Sequence, residues 1–264
     1  MSLPLGTALP NFTLAPNITP GSHDTFMPET NETTESPWRA GWESARQLFW
    51  PGLVLQSMAL ALVLAYYFVP AAQGIFTQIG AWRSAGGFLF SATSTALCGG
   101  VLPFMYLRWN SSTRATHPWS QLTFFVLYWA WKGAEVDLLY RSLDWLFGHT
   151  ANFQTVAAKV LVDQLIYNPC YATPVSSICY AWKNAGFRWA PVGADLRAGR
   201  WYLRRVVPVQ LALGCVWFPV VSCVYALPPA LQIPLFNVVL CFWSLLFAAI
   251  TSRQAKSSTA NGRE

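Results

Sequence analysis

The chain has 264 residues, of which 54% are hydrophobic and only 11% charged, with a net charge of +6. Ordinary soluble proteins carry roughly 25% charged residues, so this composition excludes a water-soluble globular domain and makes a bilayer the expected solvent. The basic residues border apolar segments rather than gathering on one helix face, which excludes nucleic acid as the counter-charge and favours anionic lipid headgroups.

Residues 1–37 are rich in Pro, Thr, Asn and Ser, and no Lys or Arg precedes Arg39. They read as a disordered tail rather than a signal peptide, which needs a basic start and an apolar centre. Asn11, Asn17, Asn31 and Asn110 begin glycosylation-type triplets. Residues 38–84 then supply a short interfacial helix (Trp38–Trp50), an uncharged first span (Pro51–Val69) and a loop. The membrane bundle proper is expected over 85–252, followed by a short basic tail at 253–264.

The second span, Ser84–Leu107, carries Gly87, Ser91, Thr95 and Gly99 at four-residue spacing. Small residues at that spacing line one helix face and let another backbone approach closely, so helix packing is expected, with hydroxyls lining a path as the alternative. The third span begins near Pro118 and turns polar after Trp131, with Lys132, Glu135, Asp137, Arg141 and Asp144. Ionisable groups in a membrane helix are costly and face a bundle interior or a wet cavity. Asp137 and Arg141 are four apart and Lys132 and Glu135 three apart, so local pairing is available. The second half of this helix is either an amphipathic end emerging at the interface or a stretch where Glu135 and Asp137 line a solute path.

The fourth span, about 157–182, contains Lys159, Asp163, Gln164 and Asn168, with Pro169 or Pro174 bending it. Proline frees a backbone carbonyl that must find a partner in lipid, and Gln164 and Asn168 can supply one. A structural polar knot and a permeation element both fit. From Trp182 to Arg205, aromatic rings alternate with six basic residues, the pattern of a membrane-surface anchor; anionic headgroups are therefore expected at Lys183–Arg205. Val206 to Ser252 is 47 residues without Lys, Arg, Asp, Glu or His, interrupted by Pro228-Pro229. A span needs about 20 residues, so this is a membrane hairpin supplying spans five and six.

Six crossings place thirteen Lys and Arg residues on one side and only Arg83, Arg141 and Lys159 on the other, with Lys132 inside a span. The positive-inside bias then sets both termini on the cytoplasmic or matrix face. The fold class expected is an all-α, polytopic transmembrane bundle of about six spans. Cys98, Cys170, Cys179, Cys215, Cys223 and Cys241 lie in apolar stretches without metal-ligand or disulfide-framework spacing and read as small hydrophobes. No metal or cofactor is expected. His23, His117 and His149 sit in no zinc motif, and no nucleophile-elbow, phosphate-loop or dinucleotide pattern occurs. Asp137 and Asp163 lack the Gly-Asp setting of an intramembrane protease dyad, so no enzyme is expected.

Three blocks carry a family resemblance. Gly133-Ala-Glu-Val-Asp137-Leu-Leu-Tyr140-Arg-Ser-Leu143 resembles the Gly-Pro-x-x-His-x-Trp-Tyr-x-x-Leu signature of the Mpv-type peroxisomal membrane protein family. Lys159, Asp163-Gln164 and Pro169 are similar to its Lys…Asp-Gln…Pro block. Trp217, Pro219, Pro229, Asn237 and Trp243 are similar to its C-terminal block. Ala134, Asp137 and Leu139 stand at the motif's Pro, His and Trp, and Gln232 at an Arg. The resemblance implies a divergent member with an added first span, in a bacterial cytoplasmic, mitochondrial inner or peroxisomal membrane. It also implies channel-like activity of weak selectivity toward small solutes. The expected function is thus a pore, lined by Glu135, Asp137, Tyr140, Asp163, Gln164, Asn168 and Asn237, whose carboxylates favour cations. The alternative is a non-conducting scaffold that associates with a membrane partner or a second copy of itself.

Overall fold

A 20-residue apolar helix covers a bilayer core, and four such stretches organise the computed structural model, which describes residues 36–261. The expected N-terminal tail up to residue 35, with Asn11, Asn17 and Asn31, lies outside the described residues. Every regular element among the described residues is helical. The membrane-capable stretches are Phe49–Phe68, Pro70–Trp109, Tyr202–Tyr225 and Pro229–Ala249, which mark an integral membrane protein.

Prolines and caps set the boundaries. Pro37 opens α1 (Pro37–Gln47), and α2 (Phe49–Phe68) follows almost at once. Pro70 opens α3 (Pro70–Thr95), which passes through a π-helical turn (Ala96–Val101) into α4 (Leu102–Trp109). A continuous 40-residue helix would be about 60 Å long, twice a hydrocarbon core. Gly87 divides it, adopting φ 49° and ψ −132° in open space, a backbone that only glycine takes without strain. The 70–83 stretch expected as a loop is therefore helical, because proline starts a helix readily and nothing before Gly87 stops it.

Gly148 ends α5 (Leu122–Phe147). The side chain of Asn152 accepts a bond from the Thr155 N–H (2.8 Å) and caps α6 (Phe153–Val162). A π-helical stretch, Asp163–Ala172, carries Pro169 and leads into α7 (Thr173–Asn184). After α8 (Trp189–Arg197), a short π-helical segment (Tyr202–Val206) starts α9 (Val207–Tyr225). The double proline then turns the chain into α10 (Pro229–Asn261), which absorbs most of the expected basic tail as helix. The expected third and fourth spans correspond to α5 and to α6–α7; α5 carries five ionisable residues, which sets it apart from the four apolar stretches.

The chain divides into two compact units. The smaller comprises Ile166–Leu213 with the described part of Met1–Leu48, and the larger comprises Phe49–Leu165 and Gly214–Glu264. In the larger unit α3 and its π-helical turn pack along α5, and α10 packs against α2, α3, α4 and α5. Small residues make the α3–α5 approach possible. A Cβ added at Gly133 would run into the Ser91 carbonyl and come within 2.7 Å of the Thr95 side chain. One at Gly99 would fall 2.6 Å from the Trp129 ring. Ser91, Thr95 and Gly99 thus lie where α3 and its π-helical turn approach α5, while Gly87 bends the helix. Trp217 on α9 meets Phe236 at a tilt (5.8 Å between ring centres) and Trp243 edge-on (6.4 Å) on α10, tying the two arms of the hairpin together.

Candidate functional site

In the larger unit the buried face of α5 repeats at helical spacing: Gly133, Val136, Asp137, Tyr140, Leu143 and Asp144. Two of these are carboxylates, and an unpaired ion there would cost several kcal/mol, so each needs partners. Asp137 is fully buried and receives four donors. Arg83 from α3 and Arg141 Nε (3.0 Å) meet Oδ1; Arg141 Nη2 (3.4 Å) and the Ser91 hydroxyl (2.7 Å) meet Oδ2. The Arg141 guanidinium also lies over the Phe88 ring at 4.6 Å. Lys132 donates to Glu135 at 2.5 Å, the expected local pair.

Two turns beyond Asp137, Asp144 pairs with the buried Lys159 of α6, and His149 Nδ1 stands 3.6 Å from its other oxygen. Lys159 therefore serves Asp144, fifteen residues before it, and its ammonium lies 6.0 Å from the centre of the Tyr225 ring. The Tyr225 hydroxyl donates to Asp163 Oδ2 at 2.7 Å, and the Gln164 amide donates to Oδ1 at 3.1 Å. Tyr140 meets Tyr225 edge-on with ring centres 5.1 Å apart. Asp144, Lys159, Tyr225, Asp163, Gln164 and Tyr140 thus form one continuous buried cluster drawn from α5, α6, the start of the π-helical stretch after it, and α9.

A third polar node joins α3 to α10. The Thr95 hydroxyl donates to Asn237 Oδ1 (2.7 Å), and Asn237 Nδ2 donates to the Ser94 hydroxyl (2.8 Å). Asn168 is half-buried in the π-helical stretch and belongs to the smaller unit, where Tyr202 donates to the Pro169 carbonyl at 2.9 Å. Glu135, Asp137, Tyr140, Asp163, Gln164 and Asn237 therefore gather in the larger unit and Asn168 does not.

Sequence reasoning missed Arg83 and Tyr225 as members of this core, and placed Asp144 and Lys159 in the spans without seeing that they pair with each other. Arg83 stood in an expected loop, and Tyr225 is one aromatic among many; the available signal was an excess of one acid over the bases in the third and fourth spans, which a base from outside them has to balance. Glu135, Asp137, Asp144 and Asp163 are matched by Arg83, Lys132, Arg141 and Lys159. An array of opposite signs gives little net field, which removes the basis for a cation preference built on carboxylates alone. Among the described residues, the buried polar atoms without a hydrogen-bond partner include Arg83 Nε beside Asp137, and Gln232 Oε1 on α10, whose amide nitrogen donates to the Leu227 carbonyl at 3.2 Å. Among the described residues no group of His, Cys, Asp and Glu is assembled as a metal site. Comparison with protein-family models, with curated proteins and with solved structures finds no match to this chain.

Proposed function

We propose that this integral membrane protein forms a weakly selective path for small solutes, closed by its own ion pairs. On this reading it is a divergent Mpv-type protein with both termini on the cytoplasmic or matrix face, and α5 and α6–α7 cross the membrane beside the four apolar helices. The observation that carries the proposal is the cost of the core. A bundle that only had to hold together gains more from apolar contacts than from buried charge, since replacing buried ion pairs by apolar groups is often neutral or stabilising. Eight ionisable side chains gathered among apolar helices are accounted for by a polar route. The balance of signs gives weak charge selectivity, and Arg83 Nε offers a buried donor for water or a solute oxygen. Reconstitution into planar bilayers tests this. The expected result is a conductance with a reversal potential near zero in a salt gradient, which Arg83→Gln shifts toward cations and Asp137→Asn toward anions. A protein that neither conducts nor releases small solutes from liposomes excludes the path.

A second reading is favoured by the saturation of Asp137, whose four donors make it a good structural cross-link. A non-conducting scaffold, alone or as a homo-oligomer, then loses folded yield in the same variants with no flux to alter. In either case Lys183–Arg205, with exposed Trp189 and Tyr202 among basic side chains, is proposed to rest against anionic headgroups.

A further inference from the structure

Within the smaller unit, two strained turns bracket α8. Gly186-Phe187 has φ of 63° and 62°, and Gly199-Arg200 has 75° and 52°. Positive φ is uncommon for residues other than glycine, so surrounding structure must hold these turns. The first places the Phe187 and Trp189 rings against Trp182, with centres 5.0 and 5.5 Å apart. After the second, Arg204 and Arg205 stand in the first turn of the membrane-capable stretch Tyr202–Tyr225, and the ends of such stretches are where basic residues meet headgroups.

Asp195 is the single acid between Lys183 and Arg205, a segment holding six basic residues. Its carboxylate accepts two bonds from Arg205 (3.1 and 3.3 Å) and lies 3.8 Å from Arg204. Arg204 also donates to the Gly199 carbonyl at 2.9 Å, so the second turn and the arginine hold each other in place. The partners keep access to the surroundings, with side-chain exposures of 28% for Asp195, 33% for Arg205 and 47% for Arg204. Arg197 and Arg200 are exposed and make no ion pair among the described residues.

A guanidinium fork binds phosphate as it binds carboxylate, through paired N–H donors. We propose that Arg204 and Arg205 form a headgroup site for anionic phospholipid, and that Asp195 occupies this site as an internal competitor until lipid phosphate displaces it. This rests on the reading of Lys183–Arg205 as a headgroup-facing surface and adds a site and a latch to it. The occupant is lipid because the site opens where a membrane-capable helix begins and exposed rings flank it.

The test uses the full chain in mixed micelles of phosphatidylglycerol and phosphatidylcholine, with the phospholipid retained per protein measured after detergent washing. The wild type retains phosphatidylglycerol preferentially. Asp195→Asn raises that retention about fivefold, the effect of one added basic charge near an anionic surface. Glu43→Gln, which removes an equal charge from the exposed Arg39–Glu43 pair, leaves it unchanged. Arg204→Gln with Arg205→Gln abolishes the preference; should that double variant lose its helical circular dichroism signal, Arg205→Lys, which keeps charge without the fork, serves in its place and lowers retention. Equal retention in Asp195→Asn and Glu43→Gln overturns the latch while sparing the surface. No preference in the wild type overturns both.

Discussion

Asp137 shows how one residue can hold three helical positions at once. Its two oxygens take two arginines and a serine hydroxyl, so removing its charge leaves Arg83 buried without a counter-ion. Breaking a buried pair from one side costs about 3–5 kcal/mol, because the surviving ion keeps its desolvation penalty. Asp137→Asn should therefore lower the thermal midpoint in detergent strongly, and Arg83→Met, which leaves Asp137 its Arg141 and Ser91 donors, should lower it less. The double variant should recover much of the loss, since it removes both charges; a double variant that loses the sum of the two singles would show that the groups act independently.

Element by element, the spacing of small residues on α3 was legible because close packing needs them, and its partner on α5 is Gly133. Adding a methyl there meets the Ser91 carbonyl, a backbone atom that cannot rotate away, so Gly133→Ala should destabilise by about 1–3 kcal/mol in the same melt. Gly87→Ala meets no neighbour, and its cost is the strain of a backbone essentially confined to glycine, about 1–3 kcal/mol in the same melt. Apolar length likewise made α2, α9 and α10 readable, with the double proline marking the hairpin. The charge partners were not readable, because Arg83 and Asp137 are 54 residues apart and Tyr225 and Asp163 are 62 apart. Helical periodicity reports which face a residue occupies, and says nothing of which distant helix that face meets. Spacing also left Gly87 ambiguous, since a small residue serves a close approach and a bend equally well.

For the whole molecule, charge asymmetry and the buried pairs bear on one another. The three basic residues that a six-span path assigns to the outer side, Arg83, Arg141 and Lys159, are each paired with a buried aspartate. Each is thus met by an internal carboxylate, so under the proposed six-span path they would offset little of the bias that assigns the remaining basic residues to the inner face. The decisive helix is α5. At 26 residues it is about 39 Å long, enough to cross a core of about 30 Å, yet its charges distinguish it from the four apolar stretches. If α5 crosses, the exposed positions Ala115 and Ala151 at its two ends face opposite compartments; if it lies along the surface, they face the same one. Single cysteines there, in a background freed of the native thiols because Cys170 and Cys215 are exposed, can be labelled with a membrane-impermeant maleimide. Labelling of Ala151→Cys from outside and of Ala115→Cys only after permeabilisation gives six crossings and places the Asp137 and Asp144 pairs within the bilayer. Labelling of both from one side leaves four crossings and moves those ion pairs toward water, where their desolvation no longer calls for a solute path.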